Sequence, residues 1–248
     1  MLRSDLLDYL EELLSPADFK DYAPNGLQVE GLSNINKIIA GVSLSQLLIK
    51  KAISENADAV LVHHGMFWQG DDPTVTSFRK GRIKNLLVNN INLIAYHLPL
   101  DFHPVYGNNV LFGKYMGFSF GDDITKDQLY LAADFNQPML GSDLFDLLYS
   151  KLKRKPLLIG SDTKEIKKVA WCVGRAPNFL EEAALGGADA YITGEVSENI
   201  VHIARELDIN LYIAGHHATE RYGVEALGKH LAEKFNIDCE FVDIDSPL

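Results

Sequence analysis

Cysteine is scarce in this sequence: only Cys172 and Cys239 occur among its 248 residues. No disulfide framework is therefore implied, and the apolar strand pattern around Cys172 predicts a buried thiol. No apolar run approaches the roughly 20 residues that a membrane-spanning helix needs. The amino-terminal residues lead into an acidic amphipathic pattern and lack the apolar core of a secretion signal. From these absences we expect a cytoplasmic protein with no membrane partner.

Positive charge is also limited, because 23 Lys and Arg residues stand against 34 Asp and Glu residues and give a net charge of −11. Strong nucleic-acid binding needs clustered Lys and Arg side chains that displace counterions, so this class of partner is not expected. The Gly-x-x-x-x-Gly-Lys-Ser/Thr phosphate loop is missing as well. A nucleotide, if one binds, must therefore be recognised in another way.

Short apolar runs alternate with amphipathic stretches of about ten residues, which predicts an α/β fold with mainly parallel sheets. A polar segment rich in Gly and Asp, residues 117–127, marks a shift in composition. We place a domain boundary there. The predicted domains are residues 1–125 and 126–220, with residues 221–248 folding back onto the first domain.

The pattern of the first half recurs in the second half. Residues 37–62 and 168–193 each predict a strand, a helix and a second strand, and the second strand begins with Ala-Asp-Ala in both copies. Chance similarity between two α/β units is the alternative interpretation. Because the repeat extends further along the chain, we favour two pseudo-repeated domains.

The next strand continues the repeat, with residues 91–97 parallel to residues 209–216 after one insertion. In this alignment His97 matches His216, and Asp101 matches Glu220. Both halves therefore carry a His-x-x-x-acid pattern where a predicted strand ends.

Histidines and carboxylates follow three predicted strands, at His63-His64, at His97 to Asp101 and at His216 to Glu220. In an open α/β sheet the carboxyl ends of the strands are the edge where ligands bind. Imidazole and carboxylate groups are typical ligands of divalent transition metals. We therefore predict that these strand ends converge on a metal centre.

Adjacent residues of a strand point in opposite directions, so His63 and His64 are expected to bind two neighbouring ions rather than one. Asp101 is the candidate bridging carboxylate, and His216 and Glu220 complete the set. Five nitrogen and oxygen ligands leave positions open for water, as in a catalytic site. The predicted cofactors are two divalent ions; with no thiolate ligand, Mn, Fe, Zn, Co and Ni all remain candidates.

Other residues near these strand ends have roles that the pattern leaves open. His97 is a candidate metal ligand, orienting group or acid–base catalyst. Glu195 occupies the position of His64 in the repeat and is a second candidate catalytic residue. The role of His103 is open, and His217 is interpreted as structural because it points away once a helix has begun.

The sequence resembles the Ngg-interacting-factor-three-like (NIF-three-like) family, whose members carry the label GTP cyclohydrolase I type 2 homolog. The resemblance covers essentially the whole chain, and its most specific motif is Gly-His-His-Ala-Thr-Glu at residues 215–220. It implies two intertwined α/β domains, a dinuclear metal site in the cleft between them and a ring-shaped homohexamer. The family's metal ligands fall on His63, His64, Asp101, His216 and Glu220. The family often has Asp where this chain has Glu195.

The leading hypothesis is a metal-dependent hydrolase that acts on a small molecule, either a nucleotide, another heterocycle or a phosphate ester. A metal-activated water would be the nucleophile, and His97 or Glu195 would transfer protons. The first alternative is a metal-binding scaffold or regulatory ring without activity. The second is a purely structural role, in which the histidines hold a domain interface through hydrogen bonds.

Overall fold

The computed structural model describes residues 1–121 and 130–247, and within them strands alternate with helices as predicted. The predicted boundary between residues 125 and 126 lies outside this part of the chain. None of the described helices is long and apolar enough to cross a membrane. The strands are β1 (Gly26–Val29), β2 (Lys37–Ser43), β3 (Ala59–His64), β4 (Asn92–Ala95), β5 (Leu131–Leu140), β6 (Leu157–Ile159), β7 (Glu165–Cys172), β8 (Ala190–Thr193), β9 (Asn210–Ile213) and β10 (Asp238–Phe241). The helices are α1 (Arg3–Leu14), α2 (Gln46–Ser54), α3 (Ser77–Val88), α4 (Leu98–Asp101), α5 (Asn108–Met116), α6 (Gly141–Leu152), α7 (Leu180–Leu185), α8 (Glu198–Glu206) and α9 (His216–Phe235).

The chain divides into two compact units. The first comprises Met1–Asp101 and Gly223–Ile244, and the second comprises Phe102–Tyr222 together with the residues from Asp245 onward. Each unit contains one five-stranded sheet of described strands. The chain therefore has a mixed α/β fold.

The sheet of the first unit has the strand order β1-β4-β3-β2-β10. All neighbouring strands in it are parallel except β1, which runs antiparallel to β4. The central strands β2 and β3 are almost continuously buried, which is why their sequences are unbroken apolar runs. Asn25 directly precedes β1, and Gly26, the first residue of this strand, adopts a positive φ of 97°.

The parallel arrangement brings the carboxyl ends of β2, β3 and β4 to one edge of the first sheet. Ser43 is paired in register with His64 at the ends of β2 and β3. His97 follows β4 by two residues, and the single turn of α4 then carries the chain to Asp101. The first three predicted ligands thus leave two strands of the same sheet.

The sheet of the second unit has the strand order β5-β7-β8-β9-β6. Only its three central strands are parallel, while β5 and β6 pair antiparallel at the two edges. The prediction of mainly parallel sheets therefore holds for the first sheet and is wrong for the second. Both edge strands are partly exposed, and antiparallel edge strands tolerate contact with solvent.

Side chains of β7 alternate between two apolar cores of the second unit. Val169 and Trp171 belong to one core, whereas Ala170 and Cys172 belong to the other. The period of two places successive side chains on opposite faces, so this strand is buried on both sides. Cys172 is buried, as its strand pattern predicts.

Two aspartates occupy matching places in the two units. Asp58 Oδ2 accepts hydrogen bonds from the backbone N–H groups of Asn36 and Lys37, where β2 begins. Asp189 Oδ2 accepts the same pair of bonds from Lys167 and Lys168 on β7. These are the aspartates of the two Ala-Asp-Ala sequences, so the recurrence in sequence is accompanied by matching local hydrogen bonds.

Candidate metal centre

His63 is fully buried at the end of β3, and the protein fixes its tautomer. Its Nδ1 lies 3.0 Å from the carbonyl oxygen of Tyr96. A carbonyl only accepts hydrogen bonds, so Nδ1 carries a proton and Nε2 is the nitrogen left for another partner. Nε2 lies 3.4 Å from Asp101 Oδ1.

His64 is oriented by the neighbouring strand. Its Nδ1 lies 2.9 Å from the hydroxyl of Ser43, its register partner on β2. The ring centroids of His63 and His64 are 4.4 Å apart, so the two side chains lie on the same side of the strand end. The expectation that they point in opposite directions is wrong, because rings on opposite faces of a strand could not approach this closely.

His97 completes a group of three imidazoles in the first unit. One nitrogen from each of His63, His64 and His97 can be chosen so that all three lie within 4.8 Å of one another. His97 Nδ1 lies 2.8 Å from Asp21 Oδ1, and its backbone N–H donates to Asn25 Oδ1 at 2.7 Å. The carboxylate holds Nδ1 as a donor, a contact that metal-binding histidines and acid–base histidines share. The three roles predicted for His97 therefore remain open.

Asp21 is the most densely hydrogen-bonded carboxylate around His97. It also accepts from the backbone N–H groups of Ala23 and Leu98 and from the side chain of Asn25. Burial acts to raise the pKa of Asp21, but the hydrogen bonds of His97 and Asn25 outweigh it and lower the pKa to about 2. Asp21 is therefore charged at neutral pH and keeps the imidazole in one orientation.

In the second unit, His216 begins α9 and lies between two carboxylates. Its Nδ1 is 2.7 Å from Glu195 Oε1, and its Nε2 is 2.8 Å from Glu220 Oε2. Burial by itself lowers the pKa of His216, but the hydrogen bonds and charges of Glu220 and Glu195 outweigh it and raise the pKa to about 9. The predicted one-turn spacing of His216 and Glu220 is thus present on the helix.

Close backbone packing surrounds Glu220. Gly174 has a φ of 63°, and a Cβ on it would overlap Glu220 Oε1. The buried hydroxyl of Thr219 accepts a hydrogen bond of 3.0 Å from the Gly174 N–H. The Gly174 carbonyl in turn accepts from the backbone N–H groups of Gly194 and Glu195. The loop after β7 therefore fixes the positions of Glu195 and Glu220.

The donor set fits a divalent cation. Glu195 accepts from His216 Nδ1, so the neutral ring would present Nε2 as an acceptor, and this atom faces the acceptor Glu220 Oε2. His63 Nε2 and Asp101 Oδ1 form a second pair of facing acceptors. Two facing acceptors need a cation between them, either a proton or a metal ion, and imidazole with carboxylate suits Zn, Mn, Fe, Co or Ni.

Three further histidines have other surroundings. The Nδ1 of His103 accepts from the backbone N–H groups of Val105 and Tyr106, so this ring caps a turn. His217 is half-buried on the first turn of α9, and its predicted structural role stays a prediction. His202 is exposed on α8.

Sequence reasoning missed the residues that orient the imidazoles. Asp21, Asn25 and Ser43 precede their histidines by more than 20 positions, so no local spacing reveals them. Gly174 and Thr219 were also missed as supports of Glu220. The available signals were Thr219 inside the Gly-His-His-Ala-Thr-Glu motif and Asn25 beside a glycine, and neither shows its partner without the fold.

Comparison with known proteins places this geometry in a family. Residues 1–247 match Duf34/NIF3 (NGG1p interacting factor 3). The chain belongs to the Duf34/NIF3 family. A Haemophilus influenzae relative named GTP cyclohydrolase 1 type 2 homolog is 46% identical over 246 residues, which are 98% of each chain. The Escherichia coli K12 relative of the same name is 44% identical and covers all of both chains.

Solved structures of this family share the whole fold. One described as protein ybgI of unknown function matches with a TM-score of 0.94 and 43% identity over all of both chains. The protein TTHA1606 from Thermus thermophilus matches with a TM-score of 0.88 and 32% identity over the same extent. The mixed α/β architecture with two five-stranded sheets is therefore the family fold.

Proposed function

We propose that this protein is a dinuclear metal-dependent hydrolase that acts on a small molecule. The predicted ligands are His63, His64 and Asp101 from the first unit and His216 and Glu220 from the second. The observation that carries the proposal is the 2.8 Å approach of His216 Nε2 to Glu220 Oε2, with Nδ1 already held by Glu195. The name of the relatives, GTP cyclohydrolase 1 type 2 homolog, supports a hydrolytic reaction on a nucleotide or another heterocycle.

When bound, divalent metal ions supply Lewis acidity, which lowers the pKa of a water and polarises a substrate oxygen. The chain itself supplies orientation, because the backbone or another side chain holds Nδ1 of each predicted histidine ligand. This leaves Nε2 of each ring as the nitrogen available to a metal ion.

The proton transfers fall to His97 in this proposal. Its Nδ1 is held by Asp21, so Nε2 is the nitrogen that gives or takes a proton. Glu195 contacts Nδ1 of His216, and this contact makes it a positioning residue for that ligand. Its predicted catalytic role stays a prediction.

The first test is the metal content per chain, measured by plasma mass spectrometry on protein purified without an affinity tag. We expect close to two equivalents of a transition metal in the wild type and a sharp fall in Glu220→Gln. His202→Gln is the matched control, because it removes an exposed histidine on α8. Less than one equivalent in the wild type after incubation with Mn or Zn would overturn the dinuclear centre.

The second test is turnover on a panel of nucleotides, cyclic amides and phosphate esters in the presence of the metal found. Activity that disappears in Asp101→Asn with the fold intact supports the hydrolase. Full metal occupancy with no turnover on the panel would instead favour the metal-binding scaffold.

The family resemblance also leads us to propose a homohexamer. Light scattering on the purified protein should give six times the chain mass of 27.6 kDa. A monomer or dimer at micromolar concentration would contradict this part of the proposal.

A further inference from the structure

The first unit has an aromatic cavity beside His97 that the proposed metal centre does not use. It is an open depression of about 480 Å³ on the surface of the first unit. Tyr22 and Trp68 line it from two different loops, and the Gln69 N–H donates to the Tyr22 carbonyl at 2.7 Å. This hydrogen bond joins the backbones of the two loops that carry the rings.

Tyr22 and Trp68 form one continuous wall. Their ring centroids are 5.6 Å apart and their planes differ by 33°, a distance typical of rings in direct contact. No slot for a third ring remains between them, so a ligand ring would stack against the wall. Tyr22 is half exposed, at 52%, so ring surface is accessible from solvent.

The inner end of this wall reaches the imidazoles. The His97 ring lies edge to face against both, with centroids 4.9 Å from Tyr22 and 5.2 Å from Trp68. The Trp68 centroid is 5.8 Å from that of His64. A planar molecule stacked on the wall is therefore adjacent to one predicted metal ligand and to the predicted proton-transfer residue.

The chemistry of the lining selects the kind of planar molecule. Gln69 at the rim carries an amide that both donates and accepts hydrogen bonds, which matches the polar edge of a heterocycle. Among the described residues that line the cavity there is no Lys or Arg, so the lining offers nothing for a polyphosphate. The cavity therefore suits the ring portion of a ligand.

We propose that the Tyr22–Trp68 wall binds the planar heterocycle of the substrate, a nucleobase or a ring of similar size, by stacking. This assignment rests on the proposed function for the identity of the molecule as a substrate. Base stacking on aromatic side chains tolerates different bases because each has a π-face, so adenosine and guanosine should bind with similar affinity.

The test is tryptophan fluorescence of the full-length protein titrated with adenosine or guanosine, with ribose as the non-aromatic probe. Trp171, the other tryptophan of the chain, is buried, so quenching by a stacked base reports on Trp68. We expect saturable quenching by both nucleosides and none by ribose. Equal responses to ribose and nucleoside, or no saturation at millimolar nucleoside, would overturn the proposal.

Variants identify the wall as the binding surface. Nucleoside affinity, measured by calorimetry, should fall roughly tenfold or more in Tyr22→Ala, whereas Tyr22→Phe should bind like the wild type. Trp68→Phe keeps a ring and should lose less affinity than Trp68→Ala. Unchanged affinity in both alanine variants would show that the nucleoside binds elsewhere.

This outcome can be separated from that of the metal proposal. Metal content is measured on the same protein samples, and nucleoside binding is repeated in Asp101→Asn. Nucleoside binding by a wild-type protein that holds no metal would support the wall and overturn the metal centre, whereas binding that persists in metal-free Asp101→Asn would show only that the wall acts without the metal. Two bound metal ions, together with an unchanged nucleoside affinity in Tyr22→Ala, would support the metal centre and overturn the wall.

Discussion

Nε2 of His216 lies 2.8 Å from a carboxylate oxygen of Glu220, one helical turn further along α9. Because Nδ1 of the same ring is held by Glu195, the contact with Glu220 requires a proton or a metal ion on Nε2. A metal ion at this pair would therefore compete with a proton, and the carboxylate on the far side of the ring would set how strongly the imidazole binds the metal.

The orienting role of Glu195 predicts a loss of metal affinity without loss of a ligand. Glu195→Gln should weaken binding of the metal roughly 10- to 100-fold, the range typical for partners of metal-binding histidines. Competition with a chelating dye measures this affinity. Glu198→Gln, an exposed carboxylate three residues away, is the control and should bind metal like the wild type. Equal affinities in the two variants would contradict the role of Glu195.

Because Gly174 packs against Glu220, a side chain at residue 174 should displace that carboxylate in addition to straining the backbone. Gly174→Ala should lower the free energy of unfolding by roughly 1–3 kcal/mol for the positive φ and displace Glu220 as well. Gly187→Ala is the matched control, since Gly187 has a φ of 83° and nothing within 4 Å of an added Cβ. Urea unfolding and metal content together separate the two effects, because only Gly174→Ala should lose metal. Retention of metal by both variants would mean that Glu220 tolerates a side chain at residue 174.

The buried hydroxyl of Thr219 predicts a difference between two similar substitutions. Thr219→Val keeps the shape but leaves the Gly174 N–H without its acceptor, which should cost about 1–3 kcal/mol of unfolding free energy. Thr219→Ser keeps the oxygen and should cost less. Chemical denaturation of the three proteins gives the comparison, and a larger loss in the serine variant would assign the effect to packing.

The lowered pKa of Asp21 predicts a stability difference that depends on pH. Its folded-state pKa of about 2 lies below its ordinary value of 3.8, so the charged form favours the folded state above about pH 4. This contribution, about 2 kcal/mol, disappears as the pH falls toward 2. The stability gap between wild type and Asp21→Asn should therefore narrow from pH 5 to pH 2. Asp8→Asn, on the exposed face of α1, is the control and should show no such pH-dependent difference in stability. A difference between wild type and Asp21→Asn that stays constant with pH would contradict the role given to the Asp21 charge.

The sequence was sufficient for those parts of the fold that depend on local periodicity. Strands buried on both faces are unbroken apolar runs, so the strand, helix and strand predicted over residues 37–62 correspond to β2, α2 and β3. The antiparallel orientation of β5 and β6 was not predictable. The hydrophobic pattern of an edge strand is the same for parallel and antiparallel pairing, and packing decides between them.

Some contacts of the candidate site were also predictable from local spacing, and others were not. His216 and Glu220 were paired correctly because a helix fixes the geometry of residues four apart. The expected orientation of His63 and His64 was wrong, because their rings approach to 4.4 Å, a contact that the strand pattern alone does not reveal. Asp21 and Trp68 contact His97 from loops that are distant in sequence, and only the folded chain shows these contacts.

The glycine at residue 174 also restricts which side chains can occur at residue 220. A side chain at residue 174 would overlap Glu220 Oε1, so the two positions cannot vary independently in descendants of this chain. A lineage that replaces the glycine must also shorten, remove or redirect the carboxylate. A lineage that loses the carboxylate first no longer has that reason to keep the glycine. A descendant without Gly174 is therefore expected to carry at residue 220 a shorter side chain, a redirected carboxylate or no acid.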